Sequence, residues 1–128
     1  MTTRRNPLES ELPSEDESLL PVVCIVTVDE EFLETVIPEL SPWFQVAFSG
    51  SYEDLARLAR EASVVAVLLD IDTEGDEPFG GLPVLNELRR LNESLTLISM
   101  SRARARSVEK QALAAGADAH FRLSLIHI

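Results

Sequence analysis

The sequence is short of the residues that most often mark a function. It holds one cysteine, Cys24, set in an apolar run, so no internal disulfide can form and a reducing compartment fits. That thiol reads as a small buried hydrophobe. Basic residues number 11 against 22 acidic ones, giving a net charge of −11 and a pI near 4.5. Such a field repels nucleic acid and anionic membrane, which excludes direct binding of either by this region. No apolar run approaches a membrane span, and the N-terminus lacks the apolar stretch of a signal peptide. The expected location is the cytoplasm. No GxxxxGK[ST] occurs, which removes the P-loop nucleotidases.

What is present is one domain's worth of chain, 128 residues with an apolar fraction of 45%. Residues 1–20, MTTRRNPLESELPSEDESLL, are rich in Ser, Pro and Glu and are expected to form a disordered acidic tail. The domain is expected over 21–122. VVCIVTV (Val22 to Val28) reads as a strand, followed by a helical face of Phe32, Leu33, Val36, Ile37 and Leu40. Pro38 should kink or end that helix near Ile37. WFQVAFS reads as a second strand. Ser51 with Asp54 then forms a capping-box pattern ahead of a helix whose inward face is Leu55, Leu58, Ala59 and Ala62.

The third strand is the apolar run Val64 to Leu69. A helix follows with Leu82, Leu85, Leu88 and Leu91 inward and Pro83 in its first turn. LTLISM is a fourth strand, SVEKQALAAG a fourth helix ending on Gly116, and DAHFR a short fifth strand. Five strands alternating with helices imply an α/β fold with a parallel sheet covered on both faces. In such sheets ligands sit at the carboxyl ends of the strands, where the order reverses. Asp29 and Glu30 follow the first strand, Asp70 and Asp72 end the third, and Ser101 ends the fourth. If the first and third strands are neighbours, Asp29, Glu30 and Asp70 converge. Their repulsion would then be relieved by a divalent cation with oxygen ligands, and Mg²⁺ fits best. Taken singly, each reads as well as an exposed loop acid.

Over roughly Val22 to Arg122 the sequence resembles the response-regulator receiver domains of two-component phosphorelays, the CheY-like superfamily. The resemblance is carried by the acidic pair in TVDEEF, the strand VLLDI, the helix GGLPVLNELRRL, the hydroxyl in ISMSR and the AGAD turn. It implies a doubly wound five-stranded sheet in the flavodoxin-like order 2-1-3-4-5. It makes Asp70 the phosphoacceptor, served by a histidine kinase or phosphotransfer protein, with no turnover activity of its own. It assigns Mg²⁺ to Asp29, Glu30, Asp70 and the backbone carbonyl of Asp72. Ser101 would bind the phosphoryl oxygen and drive a switch read by an output domain or partner. An ionised carboxylate is a competent nucleophile towards phosphorus when metal and dipoles neutralise the phosphoryl oxygens.

The sequence also departs from that pattern. DTEGDEPFGG, with Glu74, Asp76 and Glu77, replaces a short turn after Asp70. Arg102 stands where the family prefers a small residue, and would either obstruct the acceptor or donate to its phosphate. Arg104 and Arg106 read as a solvated helix start. His120 takes the place of an aromatic that rotates with the switch. The family's lysine is due at position 123, where this sequence has Leu123, and its fifth helix is missing. LSLIHI, residues 123–128, is the translation of CTGTCTCTTATACACATC, a transposon end used in sequencing libraries. These six residues are therefore expected to be a non-native adapter, which leaves the lysine unobservable. Two rivals stay open: a non-phosphorylated pseudo-receiver acting as an interaction module, and a haloacid-dehalogenase-like phosphatase using Asp70 and Asp72 in LLDIDTEG.

Overall fold

Parallel strands need crossover connections, and the helices that make them must cover both faces of the sheet. A computed structural model describes residues 20–53, 55–72, 80–102 and 106–123, and it has this arrangement. The elements run β1 (Val22–Val26), α1 (Glu30–Leu40), β2 (Gln45–Ser49), α2 (Leu55–Leu58), β3 (Val64–Asp70), α3 (Leu82–Leu91), β4 (Thr96–Ser101), α4 (Arg106–Ala115) and β5 (Ala119–Arg122). All four strand pairings are parallel, in the order β2-β1-β3-β4-β5. This is the expected doubly wound class. No helix among the described residues is long and apolar enough to cross a membrane.

Alternation along β1 divides the core. Val22, Cys24 and Val26 join Leu55, Leu58, Leu85, Leu88, Val108 and Ala112 under α2, α3 and α4. Val23 and Ile25 turn the other way, to Phe32, Ile37, Met100 and Leu123. Each fully buried side chain of this size contributes roughly 1.5–3 kcal/mol. Burial pushes the Cys24 thiol up to about 12, so it stays protonated and inert, as its apolar setting implied.

Three local expectations are corrected. α1 does not end at Ile37 but runs on through Pro38 to Leu40, because Pro38 and Glu34 are both exposed and the carbonyl that Pro38 leaves unbonded can reach water. α2 is a single turn, and Ala62 lies exposed beyond it. The Ser51 hydroxyl accepts from the amide of Glu53, while Asp54 of the expected capping box lies outside the described residues. On α3, Leu85 and Leu88 are fully buried and Leu82 packs half-buried against the same cluster, as expected, whereas Leu91 is half-buried and not part of that packing. The expected tail at residues 1–19, the acidic loop with Glu74, Asp76 and Glu77, and Arg104 also lie outside the described residues.

One arginine joins the α3 end of the sheet. Arg89 donates from Nε to the Gly116 carbonyl at 3.0 Å, from Nη1 to the Glu93 and Leu95 carbonyls at 2.8 Å each, and from Nη2 to Asp118 at 2.9 Å. Gly116 has φ 123°, a left-handed conformation that closes α4, and an added Cβ would stand 2.8 Å from Arg89 Cβ. Arg89→Ala removes donors from several carbonyls at once and is expected to lower stability by about 1–3 kcal/mol. Arg89→Lys should recover little, since an ammonium lacks the planar fork. Urea unfolding with an unchanged m-value checks both.

Candidate functional site

The order of strands reverses between β1 and β3, which directs attention to their carboxyl ends. Asp70 is the last residue of β3 and is fully buried, at 0% exposure. Its Oδ2 accepts from the Thr27 hydroxyl at 2.7 Å, and its Oδ1 accepts from the Asp72 amide at 2.9 Å. The Thr27 hydroxyl accepts in turn from the amide of Asp29 at 3.0 Å. Ser101, at the end of β4, donates to Asp72 Oδ2 at 3.0 Å, and Tyr52 donates to the Asp70 carbonyl at 2.7 Å. Burial raises the Asp70 carboxyl above its ordinary range, opposed by the Asp72 amide and the Thr27 hydroxyl.

The structure therefore brings Asp70, Asp72 and Ser101 together as expected. Ser101 reaches the side chain of Asp72 rather than Asp70. The acidic pair behaves otherwise. β1 stops at Val26, Thr27 and Val28 intervene, and Asp29 becomes the N-cap of α1, with Oδ1 accepting from the Phe32 amide at 3.0 Å. Its Oδ2 accepts from Arg102 Nη2 at 2.8 Å. Glu30 is the first helical residue and lies exposed, where its charge complements the helix dipole.

No group of three or more His, Cys, Asp or Glu side chains able to hold a metal occurs among the described residues. The expected three-carboxylate cluster of Asp29, Glu30 and Asp70 is not formed. Mg²⁺ does not fit this donor set as it stands, because Asp29 Oδ1 caps α1 while its Oδ2 is held by Arg102, which places a guanidinium where the ion would sit.

The remaining candidates are placed as follows. Arg102 contacts Asp29, with its side chain 56% exposed. His120 pairs through Nδ1 with the buried Ser99 hydroxyl at 2.6 Å, and burial lowers its pKa, so the imidazole is neutral at pH 7. Leu123, at the position due for a lysine, is fully buried in the second apolar cluster. Arg106 opens α4. Thr27 and Tyr52 are site residues that the sequence reading missed. The signal for Thr27 was a lone hydroxyl closing an apolar run, and the signal for Asp29 was an acid three residues before the first inward residue of a helix, the N-cap spacing.

No protein-family profile matches the chain, and no curated protein sequence does. Solved structures do. A response regulator from Burkholderia pseudomallei, with a phosphorylated aspartic acid, calcium ion and citrate, superposes with a TM-score of 0.67 at 17% identity, over 80% of this chain and 59% of that one. The Thermotoga maritima response regulator DrrB, an OmpR/PhoB homologue, gives 0.66 at 19% over 81% and 46%. A CheY-like receiver domain protein from Methanospirillum hungatei gives 0.67 at 24% over 81% and 82%. The chain has the fold of response-regulator receiver domains. It spans 59% and 46% of the first two proteins, and most of the third.

Two outcomes follow from the Asp70 environment. A carboxyl whose folded pKa is raised stabilises the fold most below its unfolded value and loses that contribution as pH climbs through the folded one. Between the ordinary aspartate value of 3.8 and the raised one, wild-type stability should fall with pH relative to Asp70→Asn, which carries no titrating group there. The variant should unfold at the higher temperature at pH 7, and paired thermal scans across pH read the difference. Thr27→Val, nearly the same shape without the donor, should cost about 1–3 kcal/mol by urea unfolding at pH 7.

Proposed function

We propose that this chain is a receiver module of response-regulator signalling whose Asp70 crevice works as a closed interaction element, the pseudo-receiver form. The supporting observation is the state of Asp70, fully buried with one oxygen on the Thr27 hydroxyl and the other on the Asp72 amide. An aspartate that attacks phosphorus has to present a lone pair in line with the leaving group, and positive charge has to meet the phosphoryl oxygens. Here the carboxylate is directed at a hydroxyl and an amide, and the Arg102 guanidinium is engaged by Asp29. A partner that docks at the end of β4 would act through Ser101, Asp72, Asp70 and Thr27. That chain of hydrogen bonds links the ends of β4, β3 and β1.

One observation favours a second reading. Asp70 ends β3 beside the point where the strand order reverses, and the Burkholderia regulator of the same fold carries a phosphorylated aspartic acid. In that reading a histidine kinase or phosphotransfer protein supplies the group, Asp70 accepts it, and the Ser101 hydroxyl turns from Asp72 to the new oxygens. In either reading an output domain or separate partner receives the signal, the module works in the cytoplasm, and it turns over no substrate of its own.

Incubation with acetyl phosphate and Mg²⁺, followed by intact-mass measurement, separates them. The expected result is an unchanged mass under conditions that label an authentic receiver domain. A gain of one phosphoryl group, abolished in Asp70→Asn, would replace the first reading with the second. Release of p-nitrophenol from its phosphate, lost in the same variant, would instead favour a phosphatase built on Asp70 and Asp72.

A further inference from the structure

The mouth of the Asp70 crevice is spanned by a charged bridge whose two ends come from the strands on either side. β1 and β4 flank β3; Asp29 follows the first and Arg102 follows the second. The guanidinium reaches across, 73 residues away in sequence, and donates to Asp29 Oδ2 at 2.8 Å. The two partners are unequal. The Asp29 side chain is 4% exposed and that of Arg102 is 56%, so a buried carboxylate lies beneath an arginine with one side in water. Asp29 is also held in place from below, since its Oδ1 caps α1 through the amide of Phe32 and its own amide donates to Thr27. The bridge is therefore anchored to a helix start and to the hydroxyl that bonds Asp70.

We infer that Arg102 is the resident cation of this crevice, and that its bridge to Asp29 excludes divalent metal from the carboxylates beneath it. It deepens the pseudo-receiver reading and rests on it only in taking Asp29 and Asp70 as the pair of carboxylates a metal would otherwise serve. A divalent ion needs several oxygen lone pairs, and a fixed positive charge beside it weakens its binding. Arg102 removes both conditions together. It takes an oxygen of Asp29 and brings a guanidinium that is charged at every accessible pH. A neutral residue at 102 would release Asp29 Oδ2 from the guanidinium that holds it and leave two carboxylates linked through Thr27 without that charge, which is the situation that a hard divalent ion relieves. The bridge also makes the crevice state independent of metal supply. Docking of a partner on the exposed face of Arg102 then becomes a route to open it.

Thermal unfolding of the whole chain, titrated with MgCl₂ and with CaCl₂ against NaCl of equal ionic strength, tests the inference. Wild type and Arg102→Lys should show no midpoint change beyond the NaCl control. Arg102→Ala should start lower by a few degrees and regain that loss saturably with either divalent salt. A saturable rise in the wild-type midpoint would overturn the inference, as would an Arg102→Ala variant that folds and ignores both metals. If that variant does not fold, Mn²⁺ added to the wild-type protein decides by itself. Paramagnetic broadening confined to the amides of Thr27, Asp29, Asp70 and Asp72 overturns the inference, and uniformly unaffected amides uphold it. None of these readouts uses a phosphodonor. Labelling by acetyl phosphate with no metal response would defeat the pseudo-receiver reading and leave the Arg102 inference standing.

Discussion

The carboxyl edge of this sheet is organised around one ionisable group kept inside, the carboxyl of Asp70. β3 is the central strand, and Asp70 is still within it, paired in register with Met100 of β4. A charge in that position without partners would be penalised by several kcal/mol. The compensation is local and specific. One oxygen receives a hydroxyl from the end of β1, and the other receives an amide from the turn that follows β3. Each donor is fixed by a further contact, Thr27 by the amide of Asp29 and Asp72 by the hydroxyl of Ser101. The hydroxyl of Thr27 and the amide of Asp72 are thus placed by what Asp70 requires, and the Asp29 amide and Ser101 hydroxyl hold them there.

Register decides what those neighbours are. Val26 pairs with Leu69, so the residue beyond β1 that comes level with Asp70 is Thr27, and the acids arrive two positions later. By then the chain has turned into α1. An aspartate at that point satisfies an otherwise unbonded helix amide, worth typically about 1 kcal/mol. Asp29 therefore serves the helix first. Its second oxygen is left facing the crevice, and Arg102 takes it. The same pair of letters, two residues earlier, would have put two carboxylates beside Asp70 and made metal binding the easy solution.

The alternation of strands and helices, the two-faced core and the placing of Asp70, Asp72 and Ser101 at strand ends were legible in the sequence, because each follows from apolar periodicity and from where a parallel sheet places its strand ends; the strand order came only with the resemblance. Cys24 and Gly116 were legible for similar reasons. The role of Asp29 was not. The apolar run VVCIVTV reads as a strand to Val28, yet that residue is 57% exposed in a bend after β1 has ended. A boundary error of two residues is enough to turn an N-cap into a supposed metal ligand. Arg102 was legible as a departure but not as a partner of Asp29, since nothing in local pattern relates residues 73 apart. The end of α1 was placed too early at Ile37 for another reason. The rule for Pro38 concerns a lost hydrogen bond, and the rule loses force where the freed carbonyl reaches water.

The electrostatics of the crevice can be weighed without residue 123. A phosphoryl group would bring close to two negative charges to the end of β3. Among the described residues the guanidinium facing that charge is Arg102, and it already holds a buried carboxylate that would be left uncompensated if it turned away. Thr27 and Ser101 have hydroxyls to offer, but both donate now to Asp70 and Asp72, so each new bond would be made by breaking an old one. Any gain on phosphorylation would therefore be offset by the bonds given up. Leu123 adds to this, since methyl groups in an apolar cluster supply no charge there, but the balance is already set by Thr27, Asp29 and Arg102. In this crevice a phosphoryl group and the Asp29 carboxylate would therefore compete for one guanidinium, and that competition is what a partner docking beside Arg102 would alter.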